Sequence, residues 1–252
     1  MATLLRRLLF FAALFFIWEL VYRLELFQTR LFPSPLLSFV ELYKGFFETG
    51  ILTVATFESL SRIAIGFTIA VVVGSCLGIL LALSKIADET LGSLVIALQS
   101  VPSIVWLPIA LVVLQTGNTA IIFIIVLGGT WAMTMNMRMG IKNVQPLLIR
   151  AARTMGYRGA ELVWKVMIPA SIPSALTGMR LAWAFGWRAL IAGELLGRGG
   201  LGRTLLDARD FFNMELVIAI MMIIAVVGLI VEYLIFNPIE RKVLSRWGYA
   251  KS

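Results

Sequence analysis

The 252-residue sequence contains no histidine and a single cysteine, Cys76. One thiol excludes an intrachain disulfide, and the lack of imidazole leaves nothing from which to build a His- or Cys-rich metal cluster. Charged residues make up only 14% of the chain. Neither paired acids nor a serine beside a base stands out, so the chain does not read as an enzyme. Internal repeats and low-complexity tracts are missing as well.

Apolar surface is what the chain has in abundance: 60% of residues are hydrophobic and the mean hydropathy is +0.94. A water-soluble fold would have too few polar groups to cover itself, so the chain is read as embedded in a bilayer. Runs near the ~20 residues that cross the hydrocarbon core as a helix fall at Leu8–Tyr22, Ile63–Leu83, Leu91–Leu114, Ala120–Met137, Ser174–Leu196 and Leu216–Phe236, which makes about six spans. The net charge of +8 then reports orientation rather than nucleic acid, because basic loops stay on the cytoplasmic side. With both termini inside, Arg6, Arg7, Lys85, Arg138, Lys142, Arg150, Arg153, Arg158, Lys165, Arg241, Lys242, Arg246 and Lys251 are cytoplasmic. Only Arg23, Arg30, Lys44, Arg198, Arg203 and Arg209 are then external. Arg6-Arg7 and the apolar run after it begin like a secretory signal, but no small-x-small site closes the run before Glu19, so it is read as a retained first span.

Two segments follow from this reading: residues 1–52, a first span with an external interfacial stretch, and residues 53–252, a core with a cytoplasmic loop near 138–172. Leu36–Phe47 is amphipathic and suits either a helix lying in the outer interface or a surface connector. Gly66, Ala70, Gly74 and Gly78 recur at four-residue steps, which puts a stripe of small residues on one helical face for close packing. Pro102 and Pro108 are each expected to bend the third span. Thr116-Gly117-Asn118 is a tight turn that folds spans three and four into a hairpin.

Gly197–Thr204 matches G-x-G-x-x-G and nearly matches the P-loop pattern. Both cradles need a preceding parallel strand, and here a membrane helix precedes, while Arg203 stands where the P-loop has lysine. A glycine-rich external loop is the reading taken.

The segment from Arg150 to Pro169 is basic and lies between two very apolar regions. Ala151-Ala152 permit close approach, Gly156 is placed to end a short helix, and Glu161 and Lys165 are spaced i,i+4 in a second one. Pro169 and Pro173 open the fifth span. The residues alone leave open whether this is a lever that a partner pushes or a solvated loop beside anionic lipid.

Ala151-Ala152-Arg153-Thr154-Met155-Gly156 followed by Ile168-Pro169 resembles the E-A-A-x-x-x-G…I-x-x-P loop of binding-protein-dependent ABC transporter permeases. Glu58–Phe67, Glu194-Leu195-Leu196-Gly197 and Gly200-Leu201-Gly202 resemble the nitrate/sulfonate/taurine branch. The likeness runs from about Pro33 to the C-terminus. It implies an all-α membrane protein with the type I ABC importer permease (MetI-like) fold, in a bacterial inner membrane. It further implies a second copy of the permease, two cytoplasmic ATP-binding subunits carrying ATP and Mg, an external solute-binding protein, and no cofactor in this chain. Arg150, Ala151, Ala152, Arg153, Gly156, Ile168 and Pro169 are the implied ATPase-coupling residues. The departure is Arg150, where the motif has an acid.

For the path itself, intramembrane ionisable residues mark a route or a pair. Arg180, Trp187 and Glu194 fall within about 40° of one helix face, with Arg188 further round. Arg188 is expected either to line an anion path, since its planar fork fits oxyanions, or to pair with Glu194 or a neighbouring helix. Gln99, Ser100 and Ser103 near Pro102, and Thr130 and Thr134 on span four, complete the candidate set with Trp187, Arg188 and Glu194. The rival to an ATP-driven importer is a self-contained ion-coupled carrier, for which Glu194 is the main candidate relay.

Overall fold

The computed structural model describes residues 2–26, 31–115 and 117–246; Arg30, Thr116 and Lys251, used above, lie outside them. Every regular element among the described residues is helical. In chain order these are α1 (Ala2–Arg23), α2 (Pro35–Tyr43), α3 (Ile51–Leu83), α4 (Lys85–Gln99), α5 (Leu107–Leu114) and α6 (Gly117–Lys142). They are followed by α7 (Pro146–Thr154), α8 (Gly159–Ala170), α9 (Ile172–Leu196), α10 (Gly200–Asp210), α11 (Met214–Ile230) and α12 (Asn237–Arg246). Three stretches, α3, α6 and 214–243, are long and apolar enough to cross a membrane as they stand. The total is five if the bent pairs 85–99 with 103–114 and 159–170 with 172–196 each make one span. α1 covers the expected first span but keeps Arg6, Arg7, Glu19 and Arg23 in its 22 residues and is not among these five.

Of the two prolines expected to bend the third span, Pro102 does so. Pro102 lies at the break between α4 and the segment 103–114, where the axis turns by 92°. Pro108 sits in the first turn of α5, where a missing N–H leaves no hydrogen bond unmade. α5 folds back on α6 through Leu107, Ala110, Ala120 and Ile124, which gives the expected hairpin its apolar core. The turn between α8 and α9, with Pro169 before it and Pro173 after it, bends the axis by 63°.

The chain forms two compact units, residues 1–59 with 198–227 and residues 60–197 with 228–252. In the first, Trp18 Nε1 donates to the Pro33 carbonyl at 3.0 Å, and the Phe15 ring stacks on Trp18 and touches Phe39, joining α1 to α2. Ser34 caps α2 by accepting the Leu37 N–H at 3.2 Å. The helix turns Leu36, Phe39, Val40 and Tyr43 outward and buries Ser38, an apolar face suited to a membrane interface.

In the second unit α6 runs between α3 and α9 at distances that only small residues permit. A Cβ on Gly74 would lie 2.7 Å from Met133 Cβ and 2.8 Å from the Thr130 carbonyl. One on Gly78 would lie 2.6 Å from both Met137 Cβ and the Thr134 carbonyl. On the other side, Gly178 faces Asn136 and Met133, and Gly193 faces Ile124. The stripe read from the sequence is therefore the α3 side of this seam, and van der Waals contact between backbones takes the place of a hydrophobic drive that lipid does not provide.

One end of the seam is joined by buried charge. Arg62 on α3 donates through Nη1 to Glu194 Oε1 of α9 at 2.7 Å and through Nε to Asn118 Oδ1 of α6 at 2.7 Å. Arg62 is 8% exposed and Glu194 0%. A carboxylate near a helix C-terminus meets the negative end of the dipole, and the guanidinium offsets it.

Two outcomes follow in thermal unfolding of the detergent-solubilised protein. Gly74→Val forces backbone apart and is expected to cost about 1–3 kcal/mol, whereas Gly228→Ala, inside α11 with no atom near its added methyl, is expected to raise the melt slightly, by up to about 1 kcal/mol of helix propensity. Arg62→Met alone removes the guanidinium from the buried Glu194 carboxylate and costs about 3–5 kcal/mol; adding Glu194→Leu recovers most of it.

Candidate functional site

The break at Pro102 has a consequence for the space beside it. Ending α4 at Gln99 and restarting the helix at Ser103 leaves Gln99, Ser100 and Ser103 on the wall of a cavity of about 420 Å³. The opposite walls come from α6 and α9, with Trp131 and Phe185 as the large apolar groups and Arg188 as the charged group among the lining residues. Gly128 keeps the α6 wall open, since a side chain there would come within 3.2 Å of Ser103 Oγ. The Arg188 guanidinium is exposed, lies 5.9 Å from the Phe185 ring centroid, and has no acid paired with it among the described residues. A cation held over a ring beside hydroxyl and amide groups can receive an oxyanion in bidentate fashion.

Four of the eight residues expected on the path line this cavity: Gln99, Ser100, Ser103 and Arg188. The other four are elsewhere. Thr130 and Thr134 are buried on the face of α6 that meets α3, and Thr134 Oγ1 donates to the Thr130 carbonyl at 2.8 Å. Trp187 is buried and stacks on Trp183 at 5.9 Å. Glu194 pairs with Arg62 and not with Arg188. Arg180, on the same face as Trp187 and Glu194, donates through Nη2 to Glu240 at 2.8 Å and Asn237 at 3.1 Å, binding α9 to α12. The inward face of α9 is thus structural, and the face carrying Arg188 borders the cavity. Trp131 and Phe185 went unread because an aromatic in an apolar run has no signature separating a cavity wall from a packed core.

The 138–172 loop is built as two short helices. α7 begins at Pro146 and ends in a Schellman turn: the Gly156 N–H donates to the Arg153 carbonyl at 3.1 Å and the Tyr157 N–H to the Ala152 carbonyl at 3.1 Å. Gly156 has φ +95°, the left-handed conformation this motif requires. Ala152 and Leu162 are buried where α7 packs on α8, while Arg150, Ala151, Arg153 and Gly156 are exposed and Ile168 and Pro169 half-buried. In α8, Lys165 bonds Glu161 at 2.8 Å and lies 5.4 Å from the Tyr157 ring.

The glycine-rich loop at Gly197–Thr204 resolves in favour of structure. The first N–H groups of α10 are already taken: Gly200 donates to Glu58 Oε2 at 2.6 Å and Leu201 to Ser59 Oγ at 2.9 Å. A carboxylate seated where a phosphate would have to bind leaves no room for one.

The family described as the binding-protein-dependent transport system inner membrane component matches residues 74–243. The nitrate import permease protein NrtB of Synechocystis sp. is 31% identical over 209 residues, 79% of this chain and 76% of that protein. The taurine transport system permease protein TauC of Escherichia coli is 29% identical over 226 residues, covering 88% and 82%. Among solved structures, a chain of the MetNI methionine ABC transporter in inward-facing conformation shares the fold with a TM-score of 0.69 at 20% identity, covering 77% of this chain and 97% of that one. Together with the apolar helices and the two-helix loop, these matches show that the chain belongs to the family of inner membrane permease components of binding-protein-dependent ABC importers.

Proposed function

We propose that this permease subunit forms the path for a small organic or inorganic anion, and that the loop at 138–172 receives the stroke of ATPase subunits on the cytoplasmic side. Arg188 carries the substrate half of the reading, since it is the charged residue of the cavity and no described acid neutralises it. Relatives named for import of nitrate, bicarbonate and taurine support it, because each of those solutes bears an anionic oxygen group. Two copies of the chain would enclose the path, an external solute-binding protein would deliver the cargo, and two ATP-binding subunits would hold ATP and Mg. Both termini are assigned to the cytoplasm of a bacterial cell.

Coupling would run from Arg150, Ala151, Ala152, Arg153 and Gly156 on the exposed turn, through Ile168 and Pro169, into α9, which carries Arg188. A stiff helix joined by a fixed bend converts a push on the loop into rotation of the helix. The rival, a self-contained ion-coupled carrier, needs an acid free to exchange its ion. Glu194 is held by Arg62 at 2.7 Å, which disfavours that role.

In the assembled importer, Arg188→Gln is expected to reduce uptake at least about tenfold, the scale of one lost charge-assisted hydrogen bond, with the ATPase subunits still attached. Undiminished uptake would remove Arg188 from the path. The chain alone in proteoliposomes is expected to move no solute under an ion gradient. Gly156→Leu, which puts a side chain at φ +95° for about 1–2 kcal/mol of strain, is expected to lower ATP-driven uptake, measured with radiolabelled solute.

A further inference from the structure

The loop charges are not balanced within the chain. Between Glu89 and Glu194 the sequence contains one acid, Glu161. It is engaged by Lys165 at 2.8 Å, and Asp88, the nearest acid of α4, is engaged by Arg138 and Lys142. Arg150, Arg153 and Arg158 are left exposed and without an ion pair among the described residues. They flank the Schellman turn, where Met155 is 75% exposed and nothing lies within 4 Å of a Cβ on Gly156. Three uncompensated guanidiniums thus surround an apolar side chain and a bare backbone turn.

From this we infer that the loop is an electropositive plug whose ATPase partner presents a rim of aspartate and glutamate around an apolar socket, so that Arg150 makes a contact of opposite polarity to the one an acid at that position would make. The inference rests on the assignment of the 138–172 loop to the ATPase. Charge and fork geometry suit carboxylates and lipid phosphates alike; shape favours a protein. The small Ala151, the open Gly156 turn and the protruding Met155 suit a rigid protein surface approaching closely. Such a contact weakens with ionic strength.

The test uses the whole importer, with a tagged permease purified in uncharged detergent free of added lipid, and reads ATPase retained from about 50 mM to about 500 mM salt. Wild-type retention is expected to fall with salt. Arg150→Glu/Arg153→Glu/Arg158→Glu is expected to lose retention about tenfold at the low-salt end, and the triple glutamine variant is expected to fall between. Unchanged elution and melting of the permease itself would show that the variants fold. Salt-independent retention, or full retention by the triple glutamate variant, overturns the acidic rim while leaving the coupling assignment standing. A loss seen only in phosphatidylglycerol bilayers, and not in detergent, assigns the charges to lipid and overturns it too. Wild type that holds no ATPase even at about 50 mM salt overturns the coupling assignment and this inference together.

Discussion

Close approach of glycine backbone to α6 is the constraint on which the second unit rests. Inside a bilayer, apolar side chains gain little by leaving lipid for protein, so helices associate where shape allows many short contacts. Gly66, Gly74 and Gly78 on α3 and Gly178 and Gly193 on α9 let both helices approach α6 to distances at which an added methyl would collide with its atoms. This close approach puts Arg62 within reach of Glu194 and Asn118, and it brings the α9 wall of the cavity against the α6 wall. Loosening the seam would therefore disturb the charge pair and the cavity together.

Charge sorts into two kinds across the second unit. Arg62, Arg138, Lys142, Lys165 and Arg180 all face acids of this chain and join one helix to another or one turn to the next. Arg188, Arg150, Arg153 and Arg158 face none among the described residues. A cation satisfied internally supports the fold at little net gain, because desolvation offsets attraction. A cation left over is available to a solute or another protein; four of the leftovers sit in the cavity and the loop, and Arg241 and Lys242 on α12 are exposed without an ion pair among the described residues as well.

Helix ends show the same economy of means. The Schellman turn at Gly156 satisfies the last carbonyls of α7 without side-chain help, leaving its outward face free. At α10 the opposite solution holds: Glu58 and Ser59 occupy the first N–H groups, so a glycine pattern that looks like a phosphate cradle is closed to anions. Identical local signatures acquire different roles according to what the rest of the chain brings to them.

By itself the sequence determined the properties that depend on near neighbours along the chain. Hydropathy established a membrane protein, four-residue periodicity exposed the Gly66–Gly78 stripe, and a glycine six residues past Arg150 marked the helix end, because each rests on local backbone geometry. Tertiary structure decided which polar groups are already satisfied. Thr134 looked available for a path until α3 was found packed against it, leaving it fully buried, and Glu194 looked like a neighbour of Arg188 until Arg62, 132 residues away, reached it. Trp131 and Phe185 became cavity walls only when Pro102 ended α4 beside them. The reason is physical: a hydrogen bond or ion pair between distant helices depends on how their axes are set against each other, and that setting is fixed by packing summed over the whole unit, which no short window of residues contains.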